Sequence, residues 1–131
     1  MTGLETAEIL NETGNRVTIL EMADEIAPGT WFQLLDDELE RLTPCGTRFL
    51  TSHQLLEIRE GEIIAADLKG GKIVHIPADT VVLSLGVRPE HRLADALQSA
   101  LPRVYPVGDA VQSGTIADAV KSAWEACSQI R

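Results

Sequence analysis

Gly3 and Glu21 are the residues whose type and spacing first suggest chemistry. Gly3 stands at the head of TGLETAEIL, a helix-like stretch, and Glu21 closes the apolar run VTILE 18 positions later. In a dinucleotide-binding unit a strand runs into G-x-G-x-x-G. The first glycine permits the tight turn, the second lets the pyrophosphate approach the backbone, and the third lets the helix pack closely on the strand. The helix start offers free N–H groups and a positive dipole end to the phosphates. An acidic residue about 20 positions on binds the ribose hydroxyls. Gly3 can match only the third glycine, so the strand and the other two glycines would precede Met1. The pattern predicts a domain lacking its first strand, as in a fragment or the product of a shortened reading frame. Taken singly, Glu21 also fits an ordinary surface glutamate at a strand end.

Other chemistry finds little support. Cys45 and Cys127 lie far apart and form no C-x-x-C pair, which argues against a disulfide framework or metal site. His53, His75 and His91 are scattered. No nucleophile–base pair is visible, so no catalytic residue and no metal ligand is assigned. Arg16, before the strand, reads as a surface residue, and Trp31 and Trp124 as packing residues.

The elements that would position Gly3 and Glu21 follow from periodicity. Residues 3–14 read as a helix stopped by Gly14. RVTILEM (16–22) reads as a buried strand. TWFQLLDDELERLTP (30–44) carries Trp31, Leu34, Leu35, Leu39 and Leu42 at helical spacing, with Thr30 as N-cap and Pro44 beyond its end. Its acidic run, Asp36 to Glu40, is expected on the solvated face. TRFLT, QLLEI, EIIAAD and KIVHI form a strand-rich block, in which Gly70-Gly71 marks a hairpin. TVVLSLG (80–86) is a continuous apolar run, as in a strand buried on both faces of a parallel sheet. A loop with a short helix follows, then RVYPVGDA (103–110) as a further strand. In the last helix Ile116, Ala119, Val120, Ala123, Cys127 and Ile130 mark one face.

Composition limits the function classes. At 131 residues the chain is long enough for one ordinary core, and 44% hydrophobic with 24% charged residues describes a soluble globular protein. A net charge of −9 argues against nucleic acid and anionic membrane as partners. No apolar run approaches the roughly 20 residues of a membrane span. No basic segment followed by an apolar one suggests a signal peptide, and a cytoplasmic setting is expected.

With these elements in place, the sequence resembles a known family. TGLETAEIL with RVTILEM is similar to the NAD(P)-binding domain of flavoprotein reductases with two dinucleotide domains. ADTVVLSLGVRPE resembles the segment where such chains return to the FAD domain. VYPVGDAVQSGTIADAVKSAWEACSQI resembles their last flavin-binding segment. The order is collinear over nearly the whole chain. The resemblance is greatest to the C-terminal part of NADH:flavin oxidoreductases like 2,4-dienoyl-CoA reductase, enoate reductase and trimethylamine dehydrogenase. Their flavin-bearing barrel, iron–sulfur cysteines and FAD-domain glycine motif have no counterpart in this sequence.

The resemblance implies an α/β, Rossmann-like three-layer FAD/NAD(P)-binding fold with a small antiparallel meander. It implies an NAD(P)-binding part at 1–88 and the C-terminal segment of an FAD-binding domain at 89–131. Gly3 would lie beneath the pyrophosphate. Glu5 would lie near the nicotinamide, unless it only favours the helix dipole. Glu21 would take the adenosine ribose and repel a 2′-phosphate, favouring NAD over NADP. Gly86 would let the cofactor pass the backbone, unless it is a plain turn glycine. Gly108 and Asp109 would belong to the flavin site, Asp109 alternatively being a helix N-cap. The parent chemistry is hydride transfer between nicotinamide and flavin. In this chain both cofactors are expected to be absent or weakly held, and the chain inactive alone. The alternative is a nucleotide-binding or assembly module. RVYPVGDA (103–110) is expected to fill the missing strand, either from the same chain or from a second copy in a swapped homodimer, the dimer being favoured by the apolar stripe of the last helix.

Overall fold

The computed structural model describes residues 1–130. The chain divides into two compact units, Met1–Ser84 and Leu85–Arg131.

The first unit is a three-layer α/β structure. Helix α1 (Thr2–Glu12) leads to strand β1 (Thr18–Leu20), helix α2 (Phe32–Leu42) and strand β2 (Arg48–Leu50). Strands β3 (His53–Arg59), β4 (Glu62–Asp67) and β5 (Lys72–Pro77) complete it. β1 and β2 pair in parallel, with Ile19 opposite Phe49 and Leu20 opposite Leu50. β3, β4 and β5 form an antiparallel meander with a bulge between Leu55 and Glu57. Successive strand residues face opposite sides. Ile19 and Phe49 therefore join the helix-side cluster around Leu4, Ala7 and Leu42. Leu20 and Leu50 join the meander-side cluster of Ile63, Ala65 and Ile76. The helices, the parallel pair and the meander are the three layers.

Local chemistry sets the element ends. At the end of α1, Gly14 has φ +85°, with Gly14 N–H bonded to Asn11 O at 2.9 Å and Asn15 N–H to Leu10 O at 3.1 Å. That is a Schellman closure, in which glycine takes the left-handed position without a Cβ penalty. The hairpin at Gly70-Gly71 also forms: the Asp67 carboxylate accepts from Gly70 N–H at 2.7 Å, and Gly71 has φ +65°. α2 differs from expectation at its start. Trp31 stands at its N-cap, and no side chain caps the helix. The acidic run is not all solvated either. Glu38 is buried at 4% exposure, paired with Arg41 at 2.9 Å, because its place on α2 turns it inward beside Leu42. Arg41 also bonds Glu8 of α1, tying the two helices together.

Two expected strands are absent. Residues 80–86 form no ladder and are exposed, and Thr80 to Leu85 make no backbone hydrogen bond among the described residues. Arg48 N–H bonds Val17 O, and Glu21 N–H bonds Leu50 O, so β1 turns residues 17, 19 and 21 toward β2. The N–H and C=O groups of Thr18 and Leu20 face the opposite edge, where no strand lies among the described residues. An apolar run becomes a strand only when a neighbour takes its backbone groups, and neither 80–84 nor this edge has one.

The second unit carries helix α3 (Arg92–Ala100), a 3₁₀ turn at Gly108–Ala110 and helix α4 (Ile116–Ser128). RVYPVGDA is extended and ends in the 3₁₀ turn without pairing, so it does not fill the missing strand from its own chain: it joins no ladder, and Pro106 offers no N–H. On α4 the half-buried positions are Ala119, Ser122, Ala123 and Ala126, while Ile116, Val120 and Trp124 stand exposed. Of the expected face only Ala119 and Ala123 are half-buried, while its larger members Ile116, Val120, Cys127 and Ile130 are exposed.

Candidate functional site

The chemistry-bearing residues of the first unit lie at the start of α1 and the end of β1. Leu4 N–H and Glu5 N–H both bond Met1 O, at 2.7 and 3.2 Å. The N–H groups of Thr2 and Gly3 have no partner among the described residues, and they form the open, positive end of the helix. Gly3 is half-buried. A Cβ added to it would lie 3.1 Å from both Cβ and Oγ of Ser84. The close passage of residue 84 therefore leaves little room for a side chain at position 3. Glu5 is exposed in the first turn and makes no side-chain hydrogen bond among the described residues.

Glu21 follows β1 directly. Its backbone is fixed on two sides, by Leu50 O and by His53 N–H, each at 2.9 Å. One carboxylate oxygen accepts from Ala23 N–H at 2.9 Å. The other oxygen has no hydrogen-bond partner among the described residues. The carboxylate is thus oriented by the backbone, with an acceptor left over. Donors at α1 for a pyrophosphate and an oriented acceptor at Glu21 for ribose hydroxyls together fit an adenine dinucleotide.

The second unit holds Gly86, Gly108 and Asp109. Gly86 has φ +79°, and a Cβ there would meet nothing within 4 Å, so its glycine reflects backbone conformation alone. Gly108 has φ +57° and lies against α4, where a Cβ added to it would stand 3.3 Å from that of Ala119. Its N–H donates to Ser122 Oγ at 2.9 Å. Asp109 is exposed in the 3₁₀ turn and does not cap α4. That role falls to Thr115, which forms a capping box with Asp118. Asp118 N–H donates to Thr115 Oγ1 at 3.2 Å, while Thr115 N–H and Oγ1 donate to Asp118 Oδ2 at 2.8 and 2.7 Å. Those bonds, the Thr115 hydroxyl first, hold the Asp118 carboxyl below its ordinary range. The positive end of α4 therefore already has a carboxylate of its own.

Two features of these sites escape the sequence reading. The T-x-x-D signature at Thr115 and Asp118 was available as a capping-box pattern. The Gly3–Ser84 contact left no sequence signal. No group of three or more His, Cys, Asp or Glu side chains placed to hold a metal occurs among the described residues. No described helix is long and apolar enough to cross a membrane.

The family model for pyridine nucleotide-disulphide oxidoreductases matches residues 1–126. The NADH oxidase of Thermoanaerobacter brockii is 34% identical over 131 residues, covering 99% of this chain and 20% of the relative. The metal reductase of Desulforamulus reducens is 31% identical over 124 residues, 92% of this chain and 18% of the relative. Among solved structures, a 2-naphthoyl-CoA reductase in complex with 2-naphthoyl-CoA superposes with a TM-score of 0.78 at 26% identity, over 98% of this chain and 19% of that one. Histamine dehydrogenase from Rhizobium sp. 4-9 shares the fold, with a TM-score of 0.81 at 23% identity, over 98% of this chain and 21% of that one. The chain spans about a fifth of the length of these proteins. The match along residues 1–126, on an α/β layer structure of Rossmann type, establishes that the chain belongs to the pyridine nucleotide-disulphide oxidoreductase family.

Proposed function

We propose that the chain is the nucleotide-binding part of a flavin- and NAD(P)H-dependent oxidoreductase, with residues 1–88 on the NAD(P) side and 89–131 on the FAD side. The observation that carries this reading is the paired donor set: open Thr2 and Gly3 amides at α1, and the oriented Glu21 carboxylate at β1. When bound, the nicotinamide and flavin supply the redox chemistry, and hydride passes between them. The chain's own residues bind and orient. Thr2 and Gly3 N–H groups donate to the pyrophosphate, and Glu21 accepts from the adenosine ribose. Glu5 stands at the first turn toward the nicotinamide end, Gly86 leaves the backbone bare for the cofactor, and Gly108 and Asp109 serve the flavin side. The kinship extends to the NADH:flavin oxidoreductases that resemble 2,4-dienoyl-CoA reductase and trimethylamine dehydrogenase. The isolated chain lacks full activity, because it carries no acid–base or nucleophilic constellation of its own. Its setting is cytoplasmic, in keeping with two exposed free cysteines.

Calorimetric titration tests the assignment of Glu21. A carboxylate facing the 2′ position repels a 2′-phosphate, so NADH should bind on the order of tenfold more tightly than NADPH. Equal or tighter binding of NADPH would remove Glu21 from the site.

A second reading, an assembly module, is favoured by the exposed stripe Ile116, Val120 and Trp124 on α4. A homodimer through this stripe should dissociate on substituting Trp124 by Glu, as read by sedimentation. A monomer at high concentration in the unsubstituted chain refutes it. Exchange of strand 103–107 between copies is the weaker version, because Pro106 lacks the N–H that a central strand position requires.

A further inference from the structure

We propose that His91 is a positioning residue for the flavin side: its ring holds the carbonyl end of the Gly108–Ala110 turn and so fixes the backbone from which the Asp109 carboxylate projects. This rests on the reading of Asp109 as a flavin contact and adds a residue to it.

The turn is anchored at both ends, by different elements. At its start Gly108 N–H donates to Ser122 Oγ at 2.9 Å, and Ser122 Oγ donates to Ala119 O at 2.8 Å, so α4 holds this end. Within the turn Val111 N–H and Gln112 N–H both donate to Gly108 O, at 2.8 and 3.1 Å. At its end Ala110 O lies 2.8 Å from His91 Nδ1, 19 positions away in sequence. A carbonyl oxygen only accepts, so Nδ1 carries a proton and donates it. His91 and Ser122 are the two side chains bonded to the backbone of this turn among the described residues. Asp109 stands between the two anchors. Its side chain is exposed and makes no hydrogen bond among the described residues. The clamp therefore fixes the backbone of Asp109 and leaves its acceptors free.

Neither capping nor burial accounts for where the ring lies. His91 occupies the N-cap position of α3, but its side chain does not cap that helix. The Glu90 carboxylate takes Arg92 N–H instead, at 3.0 Å. His91 is exposed, and α3 has no buried residue. An exposed imidazole can satisfy its donor with water, yet this one spends it on the carbonyl that ends the Asp109 turn. Meanwhile His91 O accepts from Asp95 N–H at 2.9 Å. The residue is thus tied to α3 by its backbone and to the turn by its ring.

Two substitutions separate the donor from the ring. His91→Phe keeps a ring and removes Nδ1–H. His91→Asn keeps an N–H donor the same number of bonds from the backbone. Two measurements on the full chain read them: amide exchange of Val111 and Gln112, which reports opening of the turn, and titration with FAD and with ADP, which lacks the flavin. His91→Phe should speed exchange of both amides and weaken FAD by about fivefold each, the scale of one hydrogen bond, with ADP unchanged. His91→Asn should restore both. In a chain already carrying Asp109→Ala, His91→Phe should weaken FAD no further, because the two residues act as one unit. Equal losses for His91→Phe and His91→Asn, or an additive loss on Asp109→Ala, would overturn the positioning role. Unchanged exchange and FAD affinity in His91→Phe would overturn the role of His91 alone and leave Asp109 as a flavin contact. Failure of the unsubstituted chain to bind FAD would overturn the flavin reading of Asp109 and the role of His91 with it.

Discussion

Leu42 in the first unit is fully buried, whereas Trp124 in the second is 72% exposed, although both are large apolar residues on amphipathic helices. The first unit places α1 and α2 on a paired sheet and the sheet on a meander, so each apolar side chain of β1 meets a layer. The second unit has two helices, a 3₁₀ turn and extended chain, and no described residue of it is buried. An amphipathic helix supplies an apolar face, but the face becomes core only when a second layer covers it. A unit of fewer than about 50 residues has little surface with which to make that layer.

Truncation should expose this contrast most strongly. Leu42→Ala removes side-chain volume from a closed cluster and should cost about 2–5 kcal/mol in a urea melt. Trp124→Ala, despite the larger deletion, should stay within about 0.5 kcal/mol. A cost of several kcal/mol for Trp124→Ala would mean that α4 is covered in solution and that the two units differ less than their exposures indicate.

Acid should sharpen the comparison with a smaller effect. Asp67 in the first unit and Asp118 in the second both titrate below their ordinary value of 3.8, Asp67 chiefly through Gly70 N–H and Asp118 chiefly through the Thr115 hydroxyl. A lowered carboxyl pKa contributes stability that is complete above the unfolded value and is lost as pH falls through the folded one. Below about pH 4 both turns should therefore weaken. α4, with no buried side chain to retain it, should lose circular dichroism before the meander does. Loss of the meander signal first, followed by pH, would reverse the ranking of the two units.

The sequence disclosed elements wherever a local rule decides the outcome. Gly14 ends α1 because only its own φ matters, and Gly70-Gly71 turns the hairpin for the same reason. The α/β fold and the positions of Gly3 and Glu21 at element ends were legible on that basis. Long-range demands were not. The run at 80–86 has strand composition, but a ladder needs a partner that composition cannot supply. Glu38 sits in an acidic run, yet the helix phase set by Leu42 turns it inward to Arg41. Ser84 looks like one polar residue in an apolar stretch until the chain returns it to Gly3.

That return has a kinetic side. Nearly the whole first unit separates Gly3 from Ser84, whereas the β3–β4 and β4–β5 turns and both helices of that unit close over a few residues. The entropy of closing a loop grows with its length, so local turns form ahead of a contact spanning the unit. The open end of α1 can exist early, as soon as the helix does. The contact with Ser84 arrives only once the layers between residues 3 and 84 have assembled, so the close approach at the helix start is a late product of folding rather than a property of the helix.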